Sequence, residues 1–365
     1  MKIDSCLILK NEEKNIEKLI NQLLEFSNEI HLTDTGSTDN TVNIIKEIQK
    51  KHSNVFLHHF EWCKDFAKAR NYSLYCYECK ADYQFWCDGD DELNDKLIET
   101  LKTFDGQDDL YTLNYLYTKT FLQKRNSLIK VAAKIKWVDP IHEFLYITQE
   151  NSNNFTYFDN GSLIIHLREQ EENSNSKQDS LSRNLDIFMN MEKENYKFSI
   201  RNRFHYGRDL YREGLTESAL NQFQKCIDDR YSDIKWYTNV INSCIFMFSI
   251  NGDIALQYFY KIFSDEIFIR KDLYYVVGDY FFDKQNYKLA KFYYLLCINC
   301  DEPNNYELFY YDRECHLKAL LQLGAIEYNY NNNKKLAIKY NKEVLKIDKK
   351  NETAINNLKI LNNKK

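Results

Sequence analysis

Carboxylates that could hold a divalent cation stand together at the end of an apolar segment. The run Tyr83–Cys87 is followed directly by Asp88 and Asp90, which are separated by Gly89. Hard cations such as Mg²⁺ take carboxylate oxygens as ligands and often bridge them to substrate phosphates. A cation held there would stabilise the negative charge of a departing diphosphate. The same pattern also fits an ordinary acidic turn after a strand, so its meaning depends on the residues around it.

Two further segments carry groups that suit a nucleotide. Asp34 ends a short apolar segment and is followed by Thr35 and the turn Gly36–Asp39, whose side chains can cap the next helix. A carboxylate at Asp34 could accept a hydrogen bond from a base or a ribose hydroxyl, although a plain strand–turn–helix cap has the same pattern. Arg70 lies in a later helical segment, and its guanidinium could pair with a phosphate or stack on a base.

The elements that position these groups alternate between strand and helix. Apolar periodicity predicts strands over Ile3–Leu9, Glu29–Asp34, Val55–Phe60 and Tyr83–Cys87, and helices over Ile16–Phe26, Thr41–Lys50 and Phe66–Cys76. This order is typical of an α/β fold with a mostly parallel, Rossmann-like sheet. Since such sheets bind ligands beyond the carboxyl ends of their strands, Asn11, Asp34 and Asp88–Asp91 should converge there. Weaker strand patterns follow, and the polar segment Arg168–Asp179 predicts a loop or linker.

The remainder of the chain, from about Arg201, has a helical pattern with a repeat. The small residues Ala219, Ala255 and Ala290 are spaced by 36 and 35 residues, and Ala337 follows after 47. A period of about 34 residues with small residues at helix crossings is typical of tetratricopeptide repeats. Each hairpin of such an array buries its apolar face only by stacking on the next. We therefore predict an α/β domain over residues 1–195 and an all-α, tetratricopeptide-like domain over residues 196–365.

The combined motifs resemble glycosyltransferase family two, which has the GT-A fold, and in particular its bacterial branch with a C-terminal tetratricopeptide region. The resemblance extends over essentially the whole chain and is closest to the sublancin-type peptide S-glycosyltransferases. It is carried by Ile8–Glu13, Asp34–Asp39, Trp62, Asp65–Ala67, Ala69–Asn71, Asp88–Asp90, Lys136–Trp137, Ile141–Glu143, Ile165–His166, Arg183–Asn184 and Tyr206–Leu210.

This resemblance implies a site for a UDP-sugar and a divalent cation. Asp90 would ligate Mg²⁺ or Mn²⁺, with Asp88 and His166 as further metal ligands. The chain departs from the family pattern at Gly89 and Asp91, which leaves open which carboxylates hold the metal. The residues implied to bind the donor, in the simplest case UDP-glucose, are Asn11, Asp34, Thr35, Arg70, Asp88 and His142.

The general base implied by the resemblance is Glu143, which would take the proton of the acceptor during an inverting transfer. Its position relative to an acceptor is beyond what a sequence can show. A solvated loop pair remains the alternative for His142 and Glu143, and a hydrogen-bonded core histidine the alternative for His166. Tyr146 stands where a zinc protease would need its second histidine, which excludes that class of enzyme.

Composition narrows the classes of protein to which this chain could belong. A net charge of −5 argues against a protein that coats nucleic acid. No apolar run approaches the roughly 18 residues of a membrane span. Ten scattered cysteines favour reduced, buried thiols in the cytoplasm, and the pairs Cys76/Cys79 and Cys297/Cys300 are interpreted as helix packing in preference to zinc sites. The chain has neither a Gly-x-Gly-x-x-Gly nor a Gly-Lys-Ser/Thr motif, which disfavours dinucleotide oxidoreductases and P-loop NTPases.

We therefore expect transfer of a hexose from a UDP-sugar to a Ser, Thr or Cys side chain of a peptide or protein. The helical repeats would bind the acceptor or mediate self-association into a homo-oligomer. Two alternatives stay open: a glycosyltransferase that acts on lipopolysaccharide or capsule glycans, and a non-catalytic scaffold with a decayed transferase domain.

Overall fold

The computed structural model describes residues 1–118, 121–147, 155–158, 160–167, 174–264, 270–301 and 311–363. The chain divides into two compact units, Met1–Tyr196 and Lys197–Lys365. The first is an α/β domain with a mixed sheet, and the second is built of helices, so the predicted fold class is confirmed. None of the helices in these ranges has the length and apolarity needed to cross a lipid bilayer.

The first unit contains strands and helices in the alternation expected of an α/β domain. Its strands are β1 (Ile3–Leu9), β2 (Ile30–Asp34), β3 (Val55–His59), β4 (Tyr83–Trp86), β5 (Asp91–Leu93), β6 (Leu110–Thr118), β7 (Phe121–Lys130), β8 (Lys136–Val138), β9 (Phe144–Tyr146), β10 (Phe155–Tyr157) and β11 (Leu163–His166). Its helices are α1 (Ile16–Leu24), α2 (Thr41–Gln49), α3 (Phe66–Tyr75), α4 (Asp95–Lys102) and α5 (Ser174–Lys193).

One sheet organises this unit. Its strand order is β3-β2-β1-β4-β7-β6-β11-β5, and β10 pairs with β6. The first four strands run parallel, whereas β7 is antiparallel to both β4 and β6. All seven residues of β1 are buried, as expected for a central strand that is covered on both faces. The carboxyl ends of β1, β2 and β4 therefore meet at one edge of the sheet.

The helices attach through apolar faces with helical spacing. Ile16, Leu19, Ile20 and Leu23 of α1 are buried, whereas the polar residues between them face solvent. Two predictions in this unit were incomplete. The helix α4 was not predicted, and α5 begins at Ser174, inside the segment predicted to be a loop or linker.

The second unit consists of antiparallel helical hairpins. Consecutive helices pair as α6 (Ile200–Arg212) with α7 (Thr216–Asp228), α8 (Tyr237–Ile250) with α9 (Gly252–Phe263), α10 (Lys271–Asp283) with α11 (Tyr287–Asn299), and α12 (Cys315–Asn329) with α13 (Lys334–Ile347), followed by α14 (Glu352–Asn363). The alanines that revealed the repeat are fully buried in the second helix of each hairpin; they are Ala219, Ala255, Ala290 and Ala337.

Glycines in the first helix of several hairpins make the close helix crossings possible. A Cβ atom added to Gly207 would lie 2.7 Å from the ring of Phe223, and one added to Gly278 would lie 2.6 Å from the ring of Tyr294. No real Cβ atom fits at such distances. In these hairpins an aromatic ring of the second helix therefore packs directly against the glycine backbone of the first.

Candidate functional site

The turn after β2 is tied to the turn after β1 by hydrogen bonds. The carboxylate of Asp34 accepts from the backbone N–H groups of Gly36 and Ser37, and the Thr35 hydroxyl donates to the carbonyl of Leu9. Asn11, which has a left-handed backbone (φ 59°), accepts from the Thr38 N–H. The structure thus brings Asn11, Asp34 and Thr35 together at the sheet edge, where part of their polar capacity is already engaged in holding the two turns.

The turn between β4 and β5 carries the acidic residues. Asp88 has a side chain that is 26% exposed, whereas Asp90 and Asp91 are buried. The Asp91 carboxylate accepts from the Asp88 N–H at 2.8 Å and so closes the turn. Gly89 has no room for a side chain, because an added Cβ would lie 2.8 Å from Cγ of Glu12. Close packing on the loop after β1 therefore fixes the position of this turn.

Two arginines hold the carboxylate of Asp88. Arg70 Nη2 donates to Asp88 Oδ1 at 2.8 Å, and Arg125 Nη2 donates to Asp88 Oδ2 at 2.7 Å. The guanidinium of Arg125 stacks between the rings of Trp86 (3.8 Å) and Tyr115 (4.3 Å). Burial acts to raise the pKa of Asp88, but the charges of Arg125 and Arg70 outweigh it and lower the pKa below its usual range. Asp88 is therefore a permanent anion between two cations.

The strand register explains why Arg125 reaches this place. Antiparallel pairing of β4 with β7 sets Phe85 opposite Leu128, and the same register continued past the end of β4 sets Asp88 opposite Arg125. The side chain of Trp86 reinforces it by donating Nε1–H to the carbonyl of Asn126 at 2.6 Å.

A second cluster joins Asp90, Asp91 and His166. One ligand atom from each lies within 4.8 Å of the other two. Pairing of β11 with β5 places His166 directly opposite Asp91, and His166 Nδ1 lies 3.3 Å from Asp91 Oδ1 and 3.6 Å from Asp90 Oδ1. Burial acts to lower the pKa of His166, but its hydrogen bond to Asp91 and the charge of Asp90 outweigh it and raise the pKa. Carboxylate and imidazole side chains are ligands that a divalent cation such as Mn²⁺ or Mg²⁺ can take.

Asp91 has further partners that separate its role from that of Asp90. Its carboxylate accepts from the Tyr115 hydroxyl at 3.0 Å and from Arg125 Nη1 at 3.0 Å. A carboxylate with this many donors organises the turn and has little remaining capacity for a cation. Asp90 is the acid of the cluster that also lines a cavity of about 190 Å³ beside Asn11 and Glu12.

Glu143 lies at the same edge of the sheet, after β8. Its Oε1 accepts from Arg70 Nε at 2.7 Å, so Arg70 bridges Glu143 and Asp88. Within the described part of the chain, the second oxygen of Glu143 makes no hydrogen bond. His142 has a left-handed backbone (φ 52°), and its ring lies 6.0 Å from that of Phe188. The structure thus brings Arg70, Asp88 and Glu143 into direct contact and turns His142 toward α5.

Sequence reasoning missed Arg125 and Tyr115. Both lie in the β6–β7 hairpin, within segments without a recognisable motif, and both contact the acidic turn only because of strand pairing. Arg125 stands in a polar stretch between two strand-like segments, so no pattern in the sequence marks it as a site residue. Asp91 was noted as an additional acid, but its place opposite His166 could not be seen.

A sheet that gathers acids and arginines at its carboxyl edge is typical of α/β domains that bind phosphate-containing ligands. Residues 6–164, within the first unit, match the model of Glycosyl transferase family 2.

Two curated relatives are each 23% identical to this chain over 277 residues. They are the SPbeta prophage-derived glycosyltransferase SunS of Bacillus subtilis (strain 168) and glycosyltransferase SunS of Bacillus phage SPbeta. Each match covers 71% of this chain and 62% of the relative. The chain therefore spans about three fifths of the length of the curated relatives that it matches.

Similar solved structures include S. aureus TarS 1–349, with 15% identity, a TM-score of 0.39 and coverage of 80% of this chain and 91% of TarS 1–349. Another is the mannosyltransferase PcManGT from Pyrobaculum calidifontis in complex with GDP-Man and Mn²⁺, with 11% identity and a TM-score of 0.37. This match covers 61% of this chain and 74% of the mannosyltransferase chain. Likeness at this level is distant.

Proposed function

We propose that this protein is a glycosyltransferase that moves a hexose from a UDP-sugar to a side chain of a peptide or protein. The family model that its first unit matches and the name of its curated relatives support transfer of a sugar. The motifs that resemble peptide S-glycosyltransferases favour a Cys, Ser or Thr acceptor and UDP-glucose as the donor. Buried unpaired thiols such as Cys6 and Cys87 fit a reducing compartment, the cytoplasm.

The observation that carries this proposal is the pair of neighbouring clusters at the sheet edge. Asp90 and His166 would hold Mn²⁺ or Mg²⁺, which when bound offsets the negative charge of the diphosphate. Asp88, held by its two arginines, would accept hydrogen bonds from the ribose hydroxyls or reach the cation as a further ligand. Arg70 and the turn at Asp34 would bind the uracil and the ribose.

Glu143 would act as the general base. The acceptor oxygen or sulfur attacks the anomeric carbon as the bond from that carbon to the UDP oxygen breaks. The acceptor proton passes to the second carboxylate oxygen of Glu143, and UDP leaves with the bonding electrons. Because Arg70 holds the first oxygen, the carboxylate is oriented before the acceptor arrives. A single displacement of this kind inverts the configuration of the sugar.

The helical unit would supply the acceptor surface. Stacked hairpins form extended surfaces that suit an unfolded peptide or a second copy of the chain. A peptide acceptor is therefore favoured over a lipid-linked glycan, which remains the rival substrate.

Transfer can be tested with purified protein, Mn²⁺ and separate UDP-glucose, UDP-galactose and UDP-N-acetylglucosamine, offered to a peptide library and to glycan acceptors. Mass spectrometry reports the sugar mass and the attachment atom together. We expect a hexose mass on a Cys, Ser or Thr side chain, and far less product over the same time with Glu143→Gln. Sugar that appears on glycans alone would establish the rival substrate.

A further inference from the structure

The segment that carries Glu143 belongs to a small sheet of its own. Among the described strands β8 and β9 pair only with each other, and Glu143 comes directly before β9. An isolated ribbon of two strands is marginally stable in water. The position of Glu143 therefore depends on the element against which the ribbon packs, and α3 is the helix that contacts β8.

The side chain of Asn71, on α3, bonds to both main-chain polar groups of one residue of β8. Its Nδ2 donates to the carbonyl of Trp137 at 2.8 Å, and its Oδ1 accepts from the Trp137 N–H at 2.9 Å. An amide has a donor end and an acceptor end, so it bonds to this backbone as a residue of a neighbouring antiparallel strand would. We propose that Asn71 is a positioning residue for sugar transfer, which acts through Trp137 on the general base Glu143. This inference rests on the proposed function.

Apolar packing between the ribbon and α3 would not by itself fix this position. Trp137 and Leu145 of the ribbon share a buried cluster with Ala67 and Leu74 of α3. Burial of apolar surface stabilises such a contact but is non-directional, so it tolerates small slides of one element on the other. The two hydrogen bonds to one residue fix the register of β8 on the helix.

The ring of Trp137 connects this register to the arginine of the site. The guanidinium carbon of Arg70 lies 5.0 Å from the centroid of the Trp137 ring and 4.6 Å from that of the Trp86 ring. Arg70 in turn donates from Nε to Glu143 Oε1 at 2.7 Å. Asn71 therefore acts on both partners of this ion pair: on Glu143 through the backbone of β8, and on Arg70 through the indole ring.

Two other hydrogen bonds join α3 to the same segment. The Tyr75 hydroxyl donates to the carbonyl of Ile135 at 2.6 Å, and the Phe66 N–H donates to the carbonyl of Pro140 at 2.8 Å. Because they lie on either side of Trp137, the segment should stay on α3 when the amide between them is removed. We expect the general base to shift and not to detach. A displacement of about 1 Å near reacting groups can slow a reaction about 100-fold.

The test compares Asn71→Ala with Tyr75→Phe, which removes one hydrogen bond between the same helix and the same segment. Alanine is the best helix former, so α3 should be retained. We expect Asn71→Ala to lower the rate of sugar transfer about 10–100-fold with the affinity for UDP nearly unchanged. Tyr75→Phe should leave both quantities unchanged. The rate is measured with the nucleotide sugar and library peptide that the native chain uses best, and the affinity by calorimetry with UDP.

A second replacement guards against a loss of folding. Asn71→Leu keeps the shape of the side chain but has neither polar end, so it should be as slow as Asn71→Ala. Circular dichroism and urea unfolding check the fold of each variant. Transfer at the native rate by folded Asn71→Ala or Asn71→Leu would overturn the inference.

A double-mutant cycle separates positioning from a general loss of structure. If Asn71 acts through Glu143, adding Asn71→Ala to Glu143→Gln should slow transfer by less than about threefold further. A further loss of about 10-fold or more would overturn the inference, because the amide would then act on another group. If the native chain transfers no sugar from any nucleotide sugar, the proposed function fails and this inference with it.

Discussion

Arg125 Nη2 donates to Asp88 Oδ2 at 2.7 Å, although 37 residues separate them in the sequence. The same guanidinium donates through Nη1 to Asp91, so one side chain fixes two acids of a four-residue turn. The guanidinium of Arg125 also packs against the rings of Trp86 and Tyr115. This relationship preorganises the acidic turn, and strand pairing brings the two residues together.

Replacement of this arginine should therefore cost stability. Arg125→Gln leaves Asp91 without its arginine and Asp88 with Arg70 alone, and loss of one partner of a buried ion pair costs about 3–5 kcal/mol. Urea unfolding of the full chain measures the loss. Lys136→Gln, an exposed position on β8, should change the free energy of unfolding by less than about 0.5 kcal/mol. Equal effects of the two variants would show that Arg125 does not hold the turn.

Glu143→Gln separates chemistry from binding. The amide keeps the shape of the side chain and can still accept from Arg70, but it cannot take the acceptor proton. We expect the rate of sugar transfer to fall about 10²–10⁴-fold with UDP affinity nearly unchanged. Steady-state kinetics and calorimetry with UDP check both quantities. Glu61→Gln, an exposed control, should have normal kinetics. Full activity of the Glu143→Gln variant would show that another group is the general base.

Gly278→Ala tests the interlocked hairpins of the second unit. Alanine is the better helix former by about 1 kcal/mol, but its Cβ would lie 2.6 Å from two atoms of the Tyr294 ring. Overpacking of this kind costs about 1–3 kcal/mol, so we expect a net loss of stability in thermal melts. Lys288→Ala, at an exposed position of α11, provides the control. A stabilised Gly278→Ala variant would mean that the crossing is looser than described.

The protein should lose stability in mild acid through the buried side chain of His31. Burial, together with the charge of His58, lowers the pKa of His31 from 6.5 to about 4. Between these pH values the unfolded chain binds a proton that the folded chain does not, so unfolding is favoured as the pH falls from 6.5 toward 4. Denaturant unfolding at pH 7 and pH 4.5 measures the difference. His31→Phe keeps a stacked ring but cannot be protonated, so it should lose less unfolding free energy between pH 7 and pH 4.5. The control His52→Gln should lose as much as the native chain.

The sequence predicted most of the first sheet because each of its early strands is a short apolar run between helical patterns. The run Ile3–Leu9 is β1 as predicted, and all of it is buried. The segment around Arg125 gave no such signal. Gln123–Ser127 is a polar stretch of β7 whose strand structure depends on pairing with β6. The predicted strand there covered only Ile129–Val131, which takes in the last two residues of β7 and the residue after it.

The candidate site could be predicted in part. Asp88 and Asp90 were placed correctly at a strand end, because an apolar strand that runs into acids is visible in the sequence. Asp88 pairs with arginines, whereas Asp90 belongs to the cluster around His166. This difference arises from contacts between residues that are 37 and 75 positions apart in the sequence. No local pattern contains that information. The roles of these residues and of Asn11 and His142 stay predictions.

We propose that the acids after the carboxyl end of β4 serve sugar transfer from a UDP-sugar. The most direct test of this proposal is UDP release from UDP-glucose with Mn²⁺ and an acceptor peptide, compared between the native chain and Asp90→Asn, with circular dichroism as the check on folding. We expect steady UDP release by the native chain and a loss of at least about 100-fold in the variant. Equal release by both proteins, or no release by the native chain with any nucleotide sugar, would contradict it.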